Sequence, residues 1–103
     1  MEHHRFQMAE ELTRRVAQGG PARVIQLSLP AGRVLDKHRV DAHLLTFVLW
    51  GRVVFEAFEP RGGPLTLGPA EMIAVGPGVP HRVESLEDAV LALVLVPPGV
   101  GEK

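Results

Sequence analysis

Leu44-Leu45-Thr46-Phe47-Val48-Leu49-Trp50-Gly51-Arg52-Val53-Val54-Phe55-Glu56-Ala57-Phe58 is the stretch from which the rest of the chain is read. Two apolar runs flank Gly51-Arg52, a two-residue connection whose glycine suits the tight primed turn of a β-hairpin. Toward the N-terminus, Arg23 to Leu29 alternates Ile25, Leu27 and Leu29 with Gln26 and Ser28, and Pro30-Ala31-Gly32 closes it. Val34 to Val40 is a further strand. Toward the C-terminus, the turn Pro60-Arg61-Gly62-Gly63-Pro64 leads to Leu65–Leu67, Met72–Val75, His81–Leu86 and Ala89–Val96. About eight short strands with Gly/Pro punctuation predict an all-β sandwich or barrel.

Ala89 to Val96 has no alternation, so it needs cover on both faces. The barrel core supplies one cover, and an N-terminal helix or a partner subunit supplies the other. In the N-terminal segment, Met8, Leu12 and Val16 recur four apart, with acids early and bases late, which predicts a helix from Met8 to Gln18 that Gly19-Gly20-Pro21 ends. The expected organisation is an N-terminal helical extension over 1–22, a barrel over 23–96 and a tail over 97–103. One helix with a three-residue stripe cannot also mask Val24 and the outer side of Leu44 to Val48, so a homodimer is expected.

A chain of 103 residues has room for one domain. Its net charge of -1 lacks the basic balance of a nucleic-acid binder, and no apolar run reaches the length of a membrane span. Neither a nucleic-acid nor a membrane partner is therefore expected, and a cytoplasmic protein is. The absence of cysteine removes disulfides, thiolate metal sites and thiol nucleophiles, leaving His and carboxylates as the groups for any metal. Ser28 and Ser85 lie in strand patterns without the setting of a nucleophile elbow.

Three histidines fall in the β region: His38 and His43 near one another, and His81 after Gly76-Pro77-Gly78-Val79-Pro80. Gly32, five residues, His38 and then Gly51 resemble the first cupin motif, which runs Gly, five residues, His-x-His, three or four residues, Glu, six residues, Gly. Ala70 to His81 resembles the second, with Gly78 and His81 in place. The resemblance covers roughly Arg23 to Val96. It implies a cupin-type jelly-roll β-barrel, a fold that hosts dioxygenases, isomerases, decarboxylases, sugar-binding regulators and storage proteins.

The departures bear on function. The family's second histidine falls on Val40 and its glutamate on Leu44, while the glycine and proline that open the second motif fall on Ala70 and Gly76. The resemblance thus leaves His38 and His81 as a metal pair or as a polar pair at the barrel mouth. His43 is the local candidate for a third ligand if a bulge re-aims it, and a turn residue otherwise. The expectation is a small-molecule-binding protein whose ligand lies among His38, Val40, Leu44, Trp50 and His81, with any divalent transition metal (Zn, Fe, Mn or Ni) weakly held. The alternative is a metal-dependent enzyme of dioxygenase or isomerase type using His38, His81 and His43. Glu56 is either an inward general base or a solvent-facing acid.

Overall fold

A computed structural model describes Met1, residues 3–9 and residues 13–99. Among these, nine strands form two antiparallel sheets and there is no helix. The strands are β1 (Thr13–Gly19), β2 (Ala22–Leu29), β3 (Val34–His38), β4 (His43–Trp50), β5 (Val53–Ala57), β6 (Gly62–Leu67), β7 (Met72–Val75), β8 (His81–Ser85) and β9 (Ala89–Val96). One sheet runs β1-β2-β9-β4-β7 and the other β3-β8-β5-β6. Leu27, Leu29, Leu44, Val48, Val53, Phe55, Val83 and Leu91 pack between them.

The helix expected over Met8 to Gln18 is corrected. Thr13 to Gly19 is strand β1, paired in continuous register with β2 from Thr13↔Ser28 to Gly19↔Ala22. Glu10 to Leu12 lie outside the described residues. The reason is a degenerate period: positions four apart share a face of a strand as well as of a helix. An isolated helix of this length is also marginal in water, whereas pairing gives partners to the outer backbone groups of β2. Gly19-Gly20-Pro21 accordingly forms a hairpin turn rather than a helix stop, with Gly20 at φ 59° in the first central position.

β9 lies between β2 and β4, where its inner face meets the core. On its outer face, beside Val90 and Ala92, the N-terminal segment is bonded to the neighbouring strand β2. The Gln7 carbonyl accepts from Gln26 Nε2 at 2.8 Å and from Ser28 Oγ at 3.1 Å. Gln26 and Ser28 stand opposite Ala92 and Val90, and all four side chains are buried. Further along that face, Leu45, Phe47, Val94 and Val96 are only partly covered, and Met72 is exposed.

Three turns fix the strand ends. Gly51, at φ 82°, packs so closely on the Asp88–Ala89 backbone that a Cβ there would collide with the Asp88 carbonyl and the Ala89 Cα. At β2–β3, Ser85 Oγ donates to the Pro30 carbonyl at 2.6 Å and accepts from Arg33 N at 3.0 Å, joining the two sheets. Between β6 and β7, Ala70 takes φ 70° although it has a Cβ. Its N–H donates to Val48 O, and Glu71 O accepts from Val48 N, each at 2.9 Å, so both sides of the turn are tied to β4.

The left-handed conformation costs an L-residue about 1–2 kcal/mol, and glycine's extra chain entropy returns about 0.5–1. Ala70 is exposed, so Ala70→Gly loses little packing. Ala70→Gly is expected to stabilise the protein by about 0.5–1 kcal/mol, read as a higher urea midpoint at unchanged m-value. A lower midpoint would show that the turn does not require this conformation.

Candidate functional site

β8 lies between β3 and β5, and this placement builds the site. His38 and His81 are register partners across β3 and β8, and His81 faces Ala57 on its other side. The β3–β8 register shifts between Leu35 and His38. Three residues apart on a regular strand, these two would point to opposite faces, yet both line one cavity. The irregularity therefore aims His38 inward. The β7–β8 turn is held against the β3–β4 connection by Gly78 N–H donating to Val40 O at 2.8 Å.

The two imidazoles lie with centroids 4.4 Å apart and planes tilted by 60°. His81 is 2% exposed and stacks on Phe55 at 5.6 Å, whereas His38 is exposed. Each ring bonds the backbone two residues before it: His38 Nδ1 to Asp36 O at 2.9 Å, and His81 Nδ1 to Val79 O at 3.0 Å. A carbonyl can only accept, so Nδ1 carries a proton in both rings, and in a neutral ring the lone pair lies on Nε2. The cavity beside them is about 40 Å³, lined also by Leu27, Leu35, Leu44, Thr46, Phe55 and neighbours on β8 and β9.

Of the residues expected at the site, the structure brings together His38, Leu44 and His81. Val40 packs against the core nearby without lining the cavity. Trp50 stands opposite Val90 after the irregularity that follows Val48, and lies 37% exposed outside the cavity. His43 precedes the inward Leu44 and pairs with Val96 in regular register. No bulge re-aims it, because the β4 irregularity comes later, between Val48 and Trp50. Glu56 makes an ion pair with Arg61 at 3.5 Å and is absent from the cavity lining.

Thr46 and Phe55 are the site residues that the sequence reading passed over. A usable signal was present: once Leu44 is taken as inward, Thr46 two residues on must be inward as well.

The metal implied by the cupin resemblance finds an incomplete donor set. Among the described residues no three His, Asp or Glu side chains converge, and hydrocarbon stands at Val40 and Leu44. Two imidazoles fall short of the three protein ligands usual in catalytic zinc sites.

No protein-family model matches the chain, and no curated protein matches it. Solved structures do. A cupin superfamily protein from Desulfitobacterium hafniense superposes with a TM-score of 0.75 at 13% identity, over 93% of this chain and 84% of that one. The fold is that of the cupins. The cupin barrel is shared with KdgF from a Halomonas species, at TM-score 0.71 and 18% identity over 96% and 92% of the two chains. It is shared too with the DMSP lyase DddQ from Ruegeria pomeroyi, at TM-score 0.72 and 23% identity, over 89% of this chain and 49% of that protein.

Burial pushes the His81 imidazole below its ordinary pKa of 6.5; the Val79 carbonyl opposes this shift, and the neighbouring His38 adds to it. The unfolded chain therefore takes up this proton at a higher pH than the folded one. The His81 contribution to stability is expected to be complete above pH 6.5, to fall as the pH drops from there through the lowered folded value, and to level off below it. Urea unfolding of wild type and His81→Gln across that window checks this. The variant should show the shallower pH dependence, and identical profiles would contradict the assignment.

Proposed function

We propose that this cupin binds a small molecule at the His38–His81 cavity and holds a transition metal weakly or not at all. The supporting observation is the pair itself: two adjacent imidazoles, each with Nδ1 bonded to a backbone carbonyl, beside a predominantly apolar cavity. Such a wall can orient a ligand with few polar contacts, which is how small-molecule sites usually combine apolar area with polar anchors.

A second reading has its own support. Metal-ligating histidines commonly donate their other ring N–H to a backbone carbonyl, as both do here. DddQ, a structural neighbour, is a DMSP lyase. On that reading His38 and His81 would hold Zn, Fe, Mn or Ni, with other positions left to water or substrate, and a metal-dependent activity would follow.

Calorimetric titration with Zn²⁺, Mn²⁺, Fe²⁺ and Ni²⁺ separates the two. Weak, substoichiometric binding is expected of the wild type, and Val40→His with Leu44→Glu should tighten it at least about tenfold, the effect of roughly 1.4 kcal/mol. Leu44 already lines the cavity, so a carboxylate there would reach the pair. Stoichiometric metal retained by wild type through chelator dialysis would favour the enzyme.

We also propose a homodimer formed through the outer face of the larger sheet. Val94 is the informative position, because Leu93 and Leu95 pack on the core while Val94 stands opposite Val24 and Leu45 on the other face. Light scattering should give twice the 11.2 kDa chain mass, and Val94→Glu should return it to one chain. A wild-type mass of one chain at high micromolar concentration would refute the pairing.

A further inference from the structure

Thr46 has a side chain that the histidine pair leaves unexplained. It is 1% exposed, it lines the cavity with His38 and His81, and its Oγ1 has no hydrogen-bond partner among the described residues. Buried hydroxyls are nearly always paired, because a dry one forfeits the hydration it had in the unfolded chain. Thr46 stands between Leu93 on β9 and Ile73 on β7, and apart from the histidines the rest of the cavity wall is hydrocarbon. Thr46 lines the cavity, so the cavity is the side from which a partner for this hydroxyl would come.

The polar groups of the wall therefore comprise one hydroxyl, able to donate and accept, and two imidazoles whose Nε2 atoms accept when the rings are neutral. Lys, Arg, Asp and Glu are absent from the lining. A carboxylate would meet two acceptors and no fixed cation. An ammonium would have to shed its hydration against seven apolar side chains, at a cost no anion here offsets. A neutral hydroxyl suits the set, since it donates to an imidazole nitrogen while accepting from Thr46.

Resting on the small-molecule reading above, we infer that the cavity takes a neutral, hydroxyl-bearing molecule whose hydroxyl is held between Thr46 Oγ1 and Nε2 of the histidine pair, its hydrocarbon lying on the leucine wall. Thr46 is then a positioning residue for the ligand, and its hydroxyl destabilises the free protein. Replacing it with valine, which keeps the shape, separates these two effects.

The test is an NMR titration of the full chain at pH 8, where unperturbed imidazole is neutral. The probes are the alcohols from methanol to butanol and the carboxylates from formate to butyrate, followed by the Thr46 methyl and the His38 and His81 ring signals. The alcohols are expected to shift these signals with dissociation constants on the order of millimolar, as befits a few heavy atoms, and the carboxylates to leave them in place. Thr46→Val should weaken alcohol binding about tenfold and raise Tm by about 4–8 °C, while Thr46→Ser keeps the affinity. Carboxylate binding without alcohol binding would overturn the head-group assignment and leave the small-molecule reading standing. Undiminished alcohol affinity in Thr46→Val, or a lowered Tm, would overturn the role of Thr46. Silence of both series at about 0.1 M would overturn the inference and the small-molecule reading together.

Discussion

The register of β8 between β3 and β5 is the constraint on which the site depends. It sets His81 against His38 on one side and places it within stacking distance of Phe55 on the other. Strand parity makes this exacting, because a slip of one residue would turn His81, Val83 and Ser85 outward and carry Arg82 and Glu84 into the core. Arg82 and Glu84 instead meet at 3.6 Å on the outer face. An exposed pair of that kind contributes little energy, so the register rests on the buried residues rather than on the charges.

The barrel frame is insensitive to side-chain identity at its mouth because several of its connections are made by backbone. Gly78 N–H reaches the carbonyl of Val40, so the two motif loops stay tied whatever side chain residue 40 carries. Ala70 shows the same independence, since its turn keeps a left-handed backbone without glycine. Likeness of fold to KdgF or DddQ can therefore coexist with a different set of side chains at the mouth.

From Arg23 onward the strands were legible in the sequence because glycine and proline punctuate them and one side of each pleat is apolar. Gly51 marked the hairpin, and the close approach of Asp88 and Ala89 shows why a glycine stands there. The juxtaposition of His38 and His81 came from family spacing, which no local pattern could supply across 43 positions. β1 was not legible, because an apolar residue at every fourth position satisfies helix and strand alike. Trp50 was misplaced for a physical reason: the irregularity after Val48 breaks the parity that sequence counting assumes. The docking of Gln7 on β2 could not be foreseen either, since a backbone carbonyl leaves no trace in residue identity.

Ser85 lies at the opposite end of β8 from His81, and its hydroxyl ties Pro30 and Arg33 across the gap between the sheets. Leu29, Val53 and Ala89 are fully buried at that end, whereas His38 is exposed at the other. The barrel is consequently a blind tube. A ligand held inside would enter and leave from the His38 end, so bulk added beside His38 would slow entry and escape together and leave the equilibrium between them nearly unchanged.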